Sequence, residues 1–168
     1  MAVTYEPIAS TTLGSAAAEI DLTSIPGTYT DLVLILEGVA DNTAFTTAVQ
    51  FNGITTTTYS TTYLYGTGSA AASARNSGEA FIRLEYAATR RTTSRILTIA
   101  QFMSYANTNV FKTVLSAEAG SAEGVGRNVG LWRSTDAISS MKLRAVSPSS
   151  TVKFASGTTV SLFGVKAA

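Results

Sequence analysis

The chain has 168 residues, a formal net charge of +1 and 14% charged residues, and it contains neither cysteine nor histidine. These counts exclude a disulfide framework, a thiolate nucleophile and a zinc–thiolate site, and they remove the commonest general base. The near-neutral charge also disfavours a nucleic-acid binder, which would normally be far more basic.

Alternating apolar residues predict strands in the first half of the chain. Residues 17–25 alternate, and residues 45–53 alternate and end in Asn52-Gly53, a dipeptide typical of hairpin turns. Residues 29–40 form a denser apolar run that is too short for a helix, so we expect a central strand covered on both faces. A further strand is predicted over residues 79–87.

The segment between these strands is less regular. Residues 58–66 fit either a helical turn or a strand, and residues 66–78 are predicted to be a loop because they are rich in glycine and small polar residues.

The second half of the chain predicts further strands, which we place at residues 94–104, 110–120, 128–135, 138–146, 151–157 and 158–167. Residues 124–130, GVGRNVG, are interpreted as a bent loop, because they lack the spacing and the lysine of a phosphate-binding loop. In a sandwich the first and last strands often pair, so we expect the final strand to be a structural member that buries Val160, Leu162 and Val165.

About eight to ten short strands at this spacing predict an all-β fold. The expected architecture is a two-sheet antiparallel sandwich, with the jelly roll as the expected arrangement. We assign residues 16–168 to a single β-sandwich domain and residues 1–15 to an N-terminal arm that could contact a partner. We expect no signal peptide and no membrane-spanning segment, because the longest apolar run falls far short of the ~20 residues that a spanning helix requires.

No group of residues predicts catalysis. The acidic residues are spread thinly, and no pattern indicates the two opposed carboxylates of a glycosidase. The residues Ser134-Thr135-Asp136 are better explained as a turn, since no base is present to activate a hydroxyl. We therefore expect a non-enzyme with no cofactor and no metal.

The loop over residues 89–95 concentrates positive charge, because it contains Arg90, Arg91 and Arg95. One interpretation is a solvated hairpin tip. The other is a docking point for an acidic surface of a partner protein, since arginine forks pair well with carboxylates and are enriched in interfaces.

Tyrosines are the second group of candidate interface residues. Tyr59, Tyr63 and Tyr65 could line a sugar-binding platform or an interface, although aromatic residues at strand spacing are more often core or interface than ligand site. Tyr5 lies in the predicted arm and joins the same candidate partner interface.

Most of the chain, from about Ser24 onwards, resembles a family of small β-sandwich virion proteins of tailed bacteriophages, frequent among phages of cyanobacteria and other aquatic bacteria. The resemblance lies in the order and spacing of SIPGTYTDLVLI, VQFNG, YSTTYLYGTGSAAASAR, FKTVLS, VGLWRSTDAISSMKL and GTTVSLFGVKAA. No single block is a catalytic signature.

The resemblance implies a structural protein of the virion, assembled in the cytoplasm of the host bacterium. One hypothesis is a capsid cement or decoration protein that binds the outer shell and stabilises contacts between major capsid subunits. Its partners would be the major capsid protein or other virion proteins and further copies of itself, with a trimer as the first expectation. The alternative is a tail or head-fibre module that binds a host receptor glycan. Under either hypothesis we expect neither nucleic acid nor a membrane as a binding partner.

Overall fold

The computed structural model describes residues 5–86, 89–120, 124–148 and 151–166. All regular secondary structure in these ranges is β-strand. The strands are β1 (Tyr5–Thr12), β2 (Glu19–Leu22), β3 (Asp31–Gly38), β4 (Thr46–Phe51), β5 (Tyr59–Gly66), β6 (Ala71–Glu79), β7 (Ile82–Arg83), β8 (Ile96–Met103), β9 (Lys112–Gly120), β10 (Gly124–Trp132), β11 (Met141–Val146) and β12 (Thr159–Val165).

The strands form two antiparallel sheets. The larger sheet has eight strands in the order β1-β12-β3-β8-β9-β10-β5-β6, and the smaller has four in the order β2-β11-β4-β7. Their facing sides enclose one hydrophobic core, so the predicted all-β, two-sheet antiparallel architecture is confirmed. The jelly-roll arrangement stays a prediction.

An aromatic cluster joins the two sheets. The rings of Tyr59 on β5 and Trp132 on β10 are stacked with centroids 5.9 Å apart, and Phe51 on β4 packs against Trp132 at 5.3 Å. The Tyr59 hydroxyl donates to the backbone carbonyl of Ile54 at 3.0 Å. The cluster therefore combines apolar burial with a partner for the buried hydroxyl.

The final strand is a structural member, as expected. β12 lies between β1 and β3 and pairs with both along its length. Val160 and Leu162 are fully buried, whereas Val165 is only partly buried. The prediction of a separate N-terminal arm is wrong for residues 5–12, because β1 is an integral edge strand of the larger sheet; residues 1–4 lie outside the described residues.

Two segments predicted to be loops are strands. Residues 71–79 form the edge strand β6, and residues 124–130 belong to β10. The tyrosine segment that fitted either a helical turn or a strand is strand β5. Of these strands, β6 is recognisable only through its pairing with β5, since it is exposed along most of its length and shows no apolar alternation.

The Asn52-Gly53 turn forms as predicted, but it is not part of a hairpin. Both residues have positive φ, and the Ile54 amide donates to the Phe51 carbonyl at 2.9 Å. The chain then passes from β4 in the smaller sheet to β5 in the larger one.

Candidate interaction surface

Arg90 is not an interface residue, because its side chain is completely buried. Its Nη2 lies 2.6 Å from Oε1 of Glu85, and its Nη1 donates to the carbonyls of Gly38 and Ile96, both at 2.9 Å. The prediction that Arg90 contacts a partner is therefore corrected: the guanidinium fixes the ends of β3 and β8 to the loop that follows β7.

The other two arginines of this loop are exposed. Nη1 of Arg95 lies 3.3 Å from Oε1 of Glu37, and both side chains are about half exposed. Arg91 and Arg95 therefore remain candidate partner contacts, at the end of the larger sheet where β3 stops and β8 begins.

The predicted tyrosine platform does not form on the surface. Tyr59 is fully buried, and Tyr63 is only 4% exposed because its ring stacks on Tyr86 with centroids 3.5 Å apart. Tyr65 is partly buried beside Tyr86, with centroids 5.8 Å apart. Burial, followed by the hydrogen bond with Tyr86, raises the pKa of Tyr63 to about 12. Tyr5 alone of the predicted tyrosines is well exposed, and it pairs with Val165 at the edge of the larger sheet.

A wide apolar surface lies on the side of the larger sheet that faces away from the smaller sheet. We call it the outer apolar face. Its large side chains lie on adjacent strands and are 40% to 61% exposed: Leu64, Leu97, Ile99, Leu115, Val125 and Val129. Antiparallel sheets with one solvated face usually carry polar residues there. Contiguous exposed apolar surfaces are typical of interaction sites.

The outer apolar face forms because both faces of the central strands are apolar. In β8, Ile96, Ala100 and Phe102 point into the core, so Leu97 and Ile99 point outward. The dense apolar run at residues 29–40 predicted a strand covered on both faces, but the smaller sheet covers only the inner face of the larger sheet.

The pairing of the strands arranges the side chains of the outer apolar face in rows that run across the strands. One row contains Ile99, Ala117, Arg127 and Leu64 on β8, β9, β10 and β5. The next row contains Leu97, Ala119 and Val125. The alanines of β9 thus lie in a trough between larger side chains.

Two shallow grooves follow from this arrangement. They have volumes of about 400 Å³ and 420 Å³, and Ile99, Ala117 and Arg127 line both. Arg127 brings a positive charge to the middle of the face, and within the described residues it makes no ion pair and no hydrogen bond through its side chain. Glu37, which pairs with Leu97, brings a negative charge to the β3 side.

The buried charged groups have structural partners. The Lys112 ammonium donates to the backbone carbonyls of Asn107, Val110 and Thr135 at 2.5, 2.8 and 3.0 Å, and burial lowers its pKa. Oε1 of Glu118, which is also buried, accepts a hydrogen bond from the Tyr86 amide at 2.8 Å.

Within the described ranges, no group of three or more Asp, Glu, His or Cys side chains could hold a metal ion. The same ranges contain no helix long and apolar enough to cross a membrane.

Comparison with known proteins adds no relative: no family model matches the chain, and no curated protein and no solved structure has significant similarity to it.

Proposed function

We propose that the chain is a structural protein of a bacteriophage virion, and specifically a capsid cement protein on the outer shell. The proposal is supported by the outer apolar face, which is suited to a subunit of an assembly rather than to a freely dissolved monomer. The resemblance to small β-sandwich virion proteins of tailed bacteriophages is the reason for proposing that this assembly is a virion.

The mechanism is binding linked to assembly. A protein that binds the assembled lattice, but not the separate shell subunits, stabilises the lattice by its binding free energy. Each copy needs only a standard interface, on the order of 1,600 Å², because many copies act together.

The shell contact is assigned to the end of the larger sheet that carries Arg91 and Arg95. Both side chains are exposed there, and arginine pairs well with carboxylates on a partner such as the major capsid protein. Arg90 plays no direct part, since its side chain is fully buried.

The test is decoration of purified phage shells from which the protein has been removed. We expect the native chain to bind the shells and the double variant Arg91→Glu with Arg95→Glu to lose binding. The matched control is Arg75→Glu, an exposed arginine on β6, which should bind as the native chain does. Equal occupancy by the double variant would contradict the assigned contact, and labelling of the tail rather than the head in intact particles would contradict the cement function.

The alternative, glycan binding by a tail or head-fibre module, loses the tyrosine platform that suggested it, because Tyr59 and Tyr63 are buried. It remains a prediction that a glycan array would test, with Tyr65→Ala as the variant expected to lose binding.

A further inference from the structure

We infer that the outer apolar face is covered by a second copy of this chain, in a two-fold dimer whose larger sheets stack face to face. The inference goes beyond the proposed function, because it assigns the surface and symmetry of self-association. It also differs from the trimer expected from the sequence.

The shape of the face is self-complementary. β8 presents the large side chains Leu97 and Ile99, and the neighbouring β9 presents Ala119 and Ala117 at the paired positions. A two-fold axis that lies in the interface, parallel to the strands and over the gap between β8 and β9, places β8 of one copy over β9 of the other. Ile99 then lies over Ala117 of the second copy and Leu97 over its Ala119, so each pair of large side chains fills the trough of the other copy.

The charges on the face are complementary under the same axis. β3 and β10 are the next strands outward from β8 and β9, so the axis places β10 of one copy over β3 of the other. Arg127 on β10 then faces the strand that carries Glu37, one outward position from the directly opposed residue. Glu37 already accepts from Arg95, and a carboxylate has room for a second guanidinium.

Two Arg127–Glu37 pairs thus form, one on each side of the axis. They neutralise the charge that Arg127 brings into an otherwise apolar interface. Because Glu37 of a second copy compensates the charge of Arg127, no acidic group from a different protein is required. This favours a second copy of the chain as the occupant of the face.

The available area suits a dimer. Six strands, from β12 to β5, lie symmetrically about the axis. At a spacing of about 4.8 Å, and with about eight residues each at about 3.4 Å, they give a flat area of about 780 Å² per copy. The sum over two copies, about 1,560 Å², lies within the range of specific protein interfaces. Two sheets stacked in this way pack at about 10 Å with their strands within about 30°, as in the core of a sandwich.

Sedimentation equilibrium of the purified full chain tests the inference. We expect a dimer for the native chain. We expect Ala117→Arg to give a monomer, because the larger side chain fills the trough, whereas Ala72→Arg on the exposed strand β6 should leave the dimer intact.

A mixing experiment tests the two charge pairs. Arg127→Glu and Glu37→Arg should each raise the dimer dissociation constant about tenfold or more relative to the native chain. Each substitution places two groups of the same charge opposite each other in both of the symmetry-related pairs. An equal mixture of the two variants should form a heterodimer, because both pairs are then of opposite charge. A change in fold would not be repaired by mixing, so recovery supports the stated contact.

A native chain that remains monomeric at several hundred micromolar would overturn the inference, as would a dimer that persists in Ala117→Arg or a mixture that fails to associate. These results are separate from shell binding: a monomer that decorates shells would leave the cement function intact, and a dimer that does not decorate would remove only that function.

Discussion

Arg90 and Glu85 form an ion pair in the interior of the protein, with Nη2 2.6 Å from Oε1 and both side chains fully buried. The Thr47 amide donates to the other carboxylate oxygen at 2.9 Å, and Thr98 Oγ1 donates to the first. Charges removed from water are tolerated only when their hydrogen bonds are satisfied in this way.

Arg90→Met should therefore destabilise the protein strongly, because it leaves the Glu85 carboxylate buried without its cation. We expect a loss of about 3–5 kcal/mol in the free energy of unfolding, measured by urea denaturation. The control is Arg95→Met, which removes an exposed pair with Glu37 and should lose at most about 1 kcal/mol. Equal losses in the two variants would show that the buried pair has no special role.

Lys112→Met should weaken the loops at one end of the sandwich. The ammonium connects the carbonyls of Asn107 and Val110 to that of Thr135, and hydrogen bonds to a charged group contribute more than neutral ones. We expect a loss of about 2–3 kcal/mol. Hydrogen exchange should accelerate in residues 104–111 and 133–138, while Lys153→Met leaves it unchanged; unaltered exchange in the Lys112 variant would contradict the proposed link.

Gly164→Ala should lower the melting temperature. The ring of Tyr29 lies directly over Gly164, so an added methyl group must displace it. Displacement would also disturb the hydrogen bond from the Tyr29 hydroxyl to Glu6 at 3.0 Å. The expected loss is about 1–3 kcal/mol, typical of overpacking. Gly14→Ala is the matched control, because among the described residues no atom beyond the two chain neighbours of Gly14 lies within 4 Å of the position of its added carbon. A melting temperature equal to that of the control would show that Tyr29 moves freely.

Tyr63 should ionise at a higher pH than an ordinary tyrosine. Burial raises its pKa to about 12, against a usual value of 10.0, so the folded state favours the protonated phenol. This contribution to stability is complete below pH 10 and is lost as the pH rises from 10 towards 12. Burial also raises the pKa of Tyr59 and Tyr105, so several tyrosines should ionise late when absorbance is followed at alkaline pH. Tyr63→Phe should reduce the amplitude of this late change by the contribution of one tyrosine. An amplitude unchanged in the variant would contradict the raised pKa of Tyr63.

The sequence predicted those strands whose apolar residues are buried on one face or both. β2, β3, β8, β9 and β12 all lie within the predicted segments, because the pleat places alternate side chains on opposite faces. β6 could not be found in this way, since a sheet edge made of small exposed residues has no apolar pattern and is defined only by its pairing with β5.

The candidate site was less predictable, because burial depends on contacts distant in sequence. Arg90 is buried through Gly38, 52 residues earlier, and Tyr59 through its pairing with Trp132. Nothing local distinguishes these residues from Arg91 or Tyr5, which are exposed. The outer apolar face likewise requires knowing that the smaller sheet covers only one side.

The position of β12 between β1 and β3 has a consequence during synthesis. β12 follows every other described strand of the larger sheet in the chain, so β1 has no neighbour in that sheet until β12 has been made. Until then β3 presents an open edge, and the nascent chain cannot complete its larger sheet. A ribosome stalled before β12 should therefore hold a chain that chaperones recognise as unfinished.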